Sequence, residues 1–242
     1  MVAQKFMTLL RACITMLTAY VVPCVIASAP PVPPAEPSIA LLTKVVLDVT
    51  RTESGKDVWQ HAQRGETLSS GDRIQTGHNS FAIIKFKDNS VVHVRQHSEL
   101  TVTGETSGGA FSKSVHVNKG SVGFNVERQH SAEQFRFTSP SSAASIRGTR
   151  GKFIVHDGAD TLIVIGGSVE LQSLNSSKSI SVQTGYTGIS LSNGTILAHP
   201  STPEEQLAAE RASRPNDQDG RLEFDLRDRL GNTKKLVIDF TQ

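Results

Sequence analysis

Short runs in which apolar and polar residues alternate recur along most of this chain, and they constrain its fold more than any other feature. Within residues 39–50, for example, Val45, Leu47 and Val49 stand at alternate positions, as a half-buried strand requires. The runs follow one another roughly every eight to twelve residues. Aromatic residues make up 5% of the chain and glycine occurs 19 times, which favours short strands and tight turns over helices. We therefore expect a mostly β domain, either a solenoid or roll of short strands or a sandwich.

The predicted strands lie within one β domain that spans residues 39–199. Turn-forming residues such as Asp88, Asn89 and Ser90 separate several of them. The strands are predicted within 39–50, 81–86, 91–95, 100–103, 115–117, 120–126, 135–137, 153–155, 162–165, 169–171, 180–182 and 189–191.

The N-terminal residues predict export rather than a part of the fold. Lys5 and Arg11 precede an apolar run, and small residues follow where a signal peptidase cleaves. We interpret residues 1–27 as a signal peptide cleaved before Ser28, with an uncleaved anchor as the alternative. Residues 28–38 are rich in proline and predict a stiff, extended linker.

Removal of the signal peptide changes the charge and the cysteine content. Cys13 and Cys24 both lie in it, so the mature chain is expected to form neither a disulfide nor a cysteine metal site. Loss of Lys5 and Arg11 reduces the 25 basic residues to 23, against 23 acidic ones. A formally neutral chain without a basic run argues against nucleic-acid binding. No segment after the signal peptide is apolar enough to predict a membrane span.

The C-terminal part has a different composition. Residues 200–220 predict a polar linker with a short helix, because Pro203 is followed by Glu204 and Glu205, which suit a first helical turn. Residues 221–242 predict a β-ribbon. Since a two-stranded ribbon is marginal alone, we expect it to dock on its own domain, with a partner's sheet as the alternative.

Residues 138–149 interrupt the strand series with small side chains. Pro140 lacks a backbone donor, and Gly148 can adopt dihedral angles that other residues avoid. Arg147 is the large fixed charge in this setting and requires a partner. We predict that the stretch is a crossing between strands, held by Arg147.

Two roles are open for Arg147. In the structural one it pairs with a carboxylate, and Asp72, Asp88 and Glu170 are the candidates. In the functional one it joins Arg150 and Lys152 in an anion-binding patch. The candidate structural or binding residues are Asp72, Asp88, Arg147, Gly148, Thr149, Arg150 and Lys152.

Several of these residues belong to a series of motifs that resembles the FecR domain family of bacterial cell envelopes. The resemblance covers about residues 65–190 and depends on the order and spacing of the motifs. They are Gly71-Asp72, Thr76-Gly77, Ser80, Asp88-Asn89-Ser90, Ser98-Glu99-Leu100, Gly120-Ser121-Val122, Thr138-Ser139-Pro140, Arg147-Gly148-Thr149, Gly167-Ser168-Val169 and Gly185.

The chain departs from the family pattern in two ways. Arg150, Gly151 and Lys152 intervene between the Arg147-Gly148-Thr149 motif and the next predicted strand at Phe153. The regulator for which the family is named also has a cytoplasmic segment and a membrane span. With its predicted signal peptide cleaved, this chain is expected to act outside the cytoplasm and not to hold a sigma factor directly.

The sequence predicts neither a metal site nor a catalytic one. His93 and His97 are four residues apart, but four residues along a strand separate them by about 13 Å, so we interpret them as exposed strand histidines. Asp157, Asp160 and Glu170 are the nearest approach to a carboxylate pair for glycan cleavage, yet residues 157–160 predict a hairpin turn. The motifs of serine hydrolases, phosphate loops and dinucleotide sites do not occur. We predict no enzymatic activity and no cofactor.

The expected function is recognition in the bacterial envelope. We expect a periplasmic or secreted protein that binds another envelope component, most simply a protein, during signalling or assembly. The alternative is a module that binds peptidoglycan or another surface glycan, which the FecR resemblance also implies for domains that stand alone.

Overall fold

A computed structural model of the 242-residue chain describes residues 38–107, 110–128 and 134–214, and the backbone of strands 221–227 and 233–239. The predicted signal peptide and the predicted linker, except its last residue, lie outside the described residues. The described part is mostly β, with many short strands and one short helix near the C-terminus, which confirms the predicted fold class.

The strands form two open sheets. Sheet 1 contains β1 (Ala40–Val46), β4 (Thr67–Leu68), β6 (Phe81–Phe86), β7 (Val91–Val94), β12 (Thr149–His156), β13 (Ala159–Gly166), β16 (Tyr186–Leu191) and β17 (Ile196–Pro200). Sheet 2 contains β2 (Val49–Thr52), β3 (Gln60–His61), β5 (Arg73–Thr76), β8 (Glu99–Ser107), β10 (Gln134–Thr138), β11 (Ser142–Ile146), β14 (Ser168–Ser173) and β15 (Ser179–Gln183). Strand β9 (Ala110–Val126) belongs to both.

The chain crosses repeatedly from one sheet to the other, and each sheet grows broadly in chain order. The order in sheet 1 is β4-β1-β6-β7-β9-β12-β13-β16-β17, and in sheet 2 it is β3-β2-β5-β8-β9-β10-β11-β14-β15. Neighbouring strands are antiparallel, except β9 and β10, which are parallel. The fold therefore combines the two predicted alternatives, because its layers form a sandwich while its winding is solenoid-like.

Strand β9 joins the sheets at a bend. Its first part pairs with β8 and β10 in sheet 2, and its last part pairs with β7 and β12 in sheet 1. The bend lies at Gly120, whose φ of +94° is open to glycine and strained for other residues. The two strands predicted at 115–117 and 120–126 are thus one strand, since a bend does not interrupt alternation.

The hydrophobic core lies between the sheets. Phe135 and Phe137 from sheet 2 lie against Phe86, Phe124 and Phe153 from sheet 1, with ring centroids 5.0 to 6.1 Å apart. All five rings are fully buried. Each buried ring stabilises the fold by about 1.5–3 kcal/mol, and aromatic pairs add roughly 0.5–1.5 kcal/mol.

Two segments differ from the sequence prediction. The first predicted strand, 39–50, is divided into β1 and β2 because Leu47 adopts a φ of +58°, which ends the extended conformation. The small-residue stretch 138–149 contains strand β11, which pairs with β10 and β14. Its residues alternate between buried and more exposed positions, but the sequence does not show this alternation because Ser142 is buried while Ala143 is more exposed.

The predicted helix is present as α1 (Pro203–Ser213). Its N-cap, Thr202, accepts the backbone N–H of Glu205 at 3.2 Å, while the Glu205 carboxylate accepts the N–H of Thr202 at 2.8 Å. This capping box, with Pro203 at the first helical position, fixes where the helix begins. The helix packs on the outer face of sheet 1, against β7, β9, β12 and β13.

The predicted C-terminal ribbon is seen as β18 (Arg221–Arg227) and β19 (Thr233–Asp239), which pair antiparallel with each other. Its register places Leu222 opposite Ile238 and Phe224 opposite Leu236. Docking of the ribbon on its own domain remains a prediction.

Candidate functional site

The crossing from β11 to β12 consists of Arg147 and Gly148. Gly148 adopts a φ of +67°, which turns the chain from sheet 2 into sheet 1. The buried Thr149 donates its hydroxyl to the Ser168 carbonyl at 3.0 Å. At the next crossing, a Cβ on Gly167 would lie 2.6 Å from the Gly148 carbonyl oxygen. The crossing at Gly148 therefore packs directly on the crossing at Gly167, through the close approach of their backbones and through the hydrogen bond from Thr149 to Ser168.

Arg147 does not hold the crossing through the predicted ion pair. Its side chain is exposed, and it forms no ion pair with any residue that the structure describes. The buried Asp72 lies 3.7 Å from Arg51 and accepts two backbone N–H groups at 3.0 Å. Asp88 lies 2.6 Å from the ammonium of the buried Lys113. Two of the three carboxylates predicted to pair with Arg147 are thus paired with other cations.

An open pocket of about 330 Å³ lies beside the crossing, where sheet 1 presents its outer face. Arg128 and Arg150 supply exposed guanidinium groups, and Glu127 supplies a carboxylate. A guanidinium can bind a carboxylate or phosphate through two parallel hydrogen bonds. The lining residues are Asn125, Val126, Glu127, Arg128, Gly148, Thr149, Arg150 and Gly166. We call Arg128, Arg147 and Arg150 the arginine corner.

Arg150, Gly151 and Lys152 do not form an inserted loop. They belong to β12, which begins at Thr149 and pairs with β9 and β13. Arg150 is exposed at the pocket, while Lys152 lies two residues further along the same face and is half-buried. Burial lowers the pKa of Lys152, and the charge of Arg95 lowers it by a smaller amount. The cationic patch that was the functional alternative for Arg147 is thus divided between an open arginine and a shielded lysine.

Lys152 belongs to a row of residues across sheet 1 that α1 partly covers. The register places His93 opposite Gly123, and Gly123 opposite Lys152. A Cβ on Gly123 would lie 1.9 Å from the Ala212 carbonyl oxygen, so the helix rests directly on this glycine. His93 is only 2% exposed, and its Nε2 has no hydrogen-bond partner within the described part. The predicted exposure of His93 is therefore wrong, because a helix more than a hundred residues later covers it.

Burial makes the stability of the fold depend on the protonation of His93. Burial, aided by the Arg95 charge, lowers the pKa of His93 from 6.5 to about 4. Between these values the unfolded chain binds a proton that the folded chain excludes, so stability is present above pH 6.5 and is lost as the pH falls towards 4. We expect this residue to cost about 3 kcal/mol at pH 4, and His93→Leu to remove that part of the pH dependence. Urea unfolding of both proteins from pH 7.5 to 4 measures it, and parallel curves would contradict it.

Asp160 forms a polar cluster that the sequence does not reveal. It lies in β13, is 1% exposed, and accepts the hydroxyls of Ser139 at 2.5 Å, Ser142 at 2.7 Å and Ser141. The hairpin turn predicted at 157–160 is therefore shorter, since Asp160 is already in the strand and faces the core. Serine and aspartate residues about 20 positions apart carry no local signal of such a contact.

The histidines are also arranged differently from the prediction. His97 lies in the turn between β7 and β8, where its ring faces that of His78 from the turn between β5 and β6. Across the described ranges, no group of three or more histidine, cysteine, aspartate or glutamate residues is arranged to hold a metal ion. No helix among the described residues has the length and apolarity needed to cross a membrane.

The comparison with protein families identifies the segment that carries this corner. Residues 72–170 match the model of the family described as FecR protein. The chain contains a FecR domain. The resemblance of the sequence motifs to this family is thereby confirmed, and the FecR domain includes every candidate residue from Asp72 to Lys152. Strands β15 to β17 and helix α1 follow the matched segment.

Two crystal structures from Parabacteroides distasonis, each of a protein provisionally described as an anti-sigma factor, are similar to this FecR-domain protein. Both align with a TM-score of 0.49 and 18% sequence identity. The alignments cover 64% of this chain, and 68% and 67% of the two crystallised chains. No curated protein matches the sequence significantly.

Proposed function

We propose that this protein is a non-enzymatic FecR-domain protein, exported to the periplasm or secreted, which binds another envelope protein during signalling or assembly. The observation that carries the proposal is the arginine corner. It places three exposed guanidinium groups at one crossing of the FecR domain, and none of them forms an ion pair within the described residues.

Two buried or half-buried carboxylates of the FecR domain, Asp72 and Asp88, are used differently. Asp72 pairs with Arg51 and Asp88 pairs with Lys113, and both carboxylates accept further hydrogen bonds. These pairs are shielded and hold strands and turns together. The arginine corner instead presents its charge outward, where it is available to a partner.

An acidic protein segment suits the arginine corner. Arginine is enriched in protein interfaces, and its planar fork binds carboxylates with defined geometry. A formally neutral mature chain with a local cluster of arginines at this corner favours a partner with a matching acidic patch over a uniformly charged polymer. The proposal includes no catalytic step, and the arginines act by binding.

Charge reversal at the corner is expected to abolish partner binding. We expect Arg147→Glu/Arg150→Glu to reduce capture of the partner at least about tenfold, because two attractive contacts become repulsive. The exported protein, immobilised on beads, is incubated with solubilised envelope proteins, and retained proteins are quantified by mass spectrometry. Arg64→Glu is the matched control, since Arg64 is also exposed and lies outside the corner.

The outcome that supports the proposal is a protein retained by the wild type and by Arg64→Glu but lost from the double variant. If no retained protein depends on the corner, the proposal is wrong. The glycan alternative has its own readout, which is cosedimentation of the purified protein with peptidoglycan sacculi and its release by a muramidase.

A further inference from the structure

His78 and His97 face each other at the corner where β5 turns into β6 and β7 turns into β8. Both side chains are exposed. The Nδ1 atom of His78 lies 3.4 Å from the Nε2 atom of His97, and the ring centroids are 5.5 Å apart. The two residues are 19 positions apart in the sequence, so the tertiary fold creates the pair.

A network of hydrogen bonds fixes the two turns relative to each other. The N–H of His97 donates to the Gly77 carbonyl at 3.2 Å, and the N–H of Asn79 donates to Oε1 of Gln96 at 2.9 Å. The Thr76 hydroxyl accepts the N–H of Ser98 at 3.0 Å and donates to the carbonyl of Arg95. The imidazoles are therefore carried on a preorganised backbone rather than on independent loops.

The backbone at this corner is also strained. His97 adopts a φ of +57° and Asn79 a φ of +53°. A left-handed conformation of a residue other than glycine costs roughly 1 kcal/mol and persists only where the surroundings impose it. At position 97 these surroundings include the hydrogen bond from the His97 N–H to the Gly77 carbonyl.

The distance between the two nitrogens distinguishes the possible occupants. At 3.4 Å the two nitrogens can share a direct N–H···N hydrogen bond, but a long one, since N–H hydrogen bonds in proteins measure about 2.7–3.2 Å. Two imidazole nitrogens on a tetrahedral zinc ion, each about 2.0–2.1 Å from the metal, lie about 3.3–3.4 Å apart. Adjacent ligands in octahedral or square-planar sites at similar bond lengths lie closer, at about 2.8–3.0 Å. The observed separation fits the tetrahedral geometry.

A carboxylate on the neighbouring turn adds negative charge. The backbone of Asp48 bonds to both Gly77 and Ser80, which places this turn against the one that carries His78. A Cβ on Gly77 would lie 2.5 Å from Oδ2 of Asp48. The Asp48 carboxylate thus lies beside Gly77, the residue that precedes His78, and it is not a third ligand, because no three such residues are grouped for a metal in the described part of the chain.

We propose that His78 and His97 form a bidentate surface site for zinc, with the remaining positions of the tetrahedron filled by water. The site is independent of the arginine corner and of the function proposed above. Two protein ligands leave open positions, so zinc held here can accept a further ligand from solvent or from a partner.

Calorimetric titration of zinc chloride into the full exported chain at pH 7.5 tests the proposal. We expect one saturable site that weakens at least about tenfold in His78→Ala and in His97→Asn, because each variant loses one of two ligands. Asparagine tolerates the left-handed φ at position 97, so this variant keeps the turn. His61→Ala, which removes an exposed histidine elsewhere, is the control and is expected to bind as the wild type does.

Circular dichroism at pH 7.5 establishes that each variant is folded. Absence of saturable binding to the wild type, or binding that is equal in the wild type and either variant, would overturn the proposal.

Discussion

Asp160→Ala is expected to lower the free energy of unfolding by about 3 kcal/mol. The carboxylate of Asp160 accepts hydroxyls from Ser139, Ser141 and Ser142 across the interior, and it joins β13 of sheet 1 to the hairpin between β10 and β11 of sheet 2. Its removal leaves the buried hydroxyls of Ser139 and Ser142 only each other, at 3.2 Å, and the Ser142 carbonyl, at 3.4 Å from the Ser139 hydroxyl, so at least one buried donor loses its acceptor. A buried donor without a partner costs about 1–3 kcal/mol, and only Ser141 has ready access to water.

Urea unfolding at pH 7 measures this loss, with an unchanged m-value as the criterion for an intact two-state transition. Asp157→Ala is the matched control, because Asp157 is exposed in the adjacent turn and its loss is expected to change stability by no more than about 0.5 kcal/mol. The loss of unfolding free energy in Asp160→Asn is expected to lie between those of Asp160→Ala and Asp157→Ala. The amide of asparagine keeps an acceptor for the serine hydroxyls, but its NH₂ group adds donors that have no acceptor there. Equal effects of Asp160→Ala and Asp157→Ala would refute the structural role of the cluster.

Gly123→Ala is expected to displace helix α1 from sheet 1. The added Cβ would lie 1.9 Å from the Ala212 carbonyl oxygen, a contact with backbone that no side-chain rotation can relieve. The helix has little else to hold it, because its buried residues are Ala209, Ala212 and Ser213. The hydrogen bond from Arg95 to the Arg211 carbonyl lies in the same last turn. We expect a loss of about 1–3 kcal/mol, typical of overpacking.

Hydrogen exchange of residues 203–213 is the direct measurement. We expect these residues to exchange faster in Gly123→Ala than in the wild type, while exchange in the strands of the core changes less. Gly166→Ala is the control, because a Cβ at that position would lie 3.8 Å from the Cβ of Arg150, an ordinary contact. In Gly123→Ala we also expect a smaller loss of stability between pH 6.5 and 4, because His93 is no longer fully shielded by α1. Unchanged protection of the helix in Gly123→Ala would contradict the proposed docking.

These two effects come from contacts that local patterns do not encode. Alternation in β6, β7 and β12 identifies their inward faces correctly, since Ile84, Val92 and Phe153 are fully buried. It says nothing about what covers an outward residue. The sequence therefore predicts an exposed His93, although α1 lies over it, and it offers Lys152 as a member of an alternative anion-binding patch, although that side chain is half-buried.

The sequence predicts only part of the candidate site. The motif Arg147-Gly148-Thr149 is correctly located at a crossing, because Gly148 signals a positive φ. That Arg147 forms no ion pair within the described residues is not predictable, since Asp72 and Asp88 are chemically suitable but bind Arg51 and Lys113 instead. Arg128 does not stand out in the sequence, because it reaches the corner only through the pairing of β9 with β12.

Alternation, turn residues and motif order are sufficient to predict a mostly β FecR domain with a short helix after it, because each is a local property of the backbone and its side chains. The assignment of strands to two sheets, the bend of β9 at Gly120 and the neighbours of Asp160, His93 and His97 depend on tertiary contacts. The reason is physical. A polar or charged side chain determines which kinds of group it can bind, but distance in the folded chain determines which of the available groups it meets.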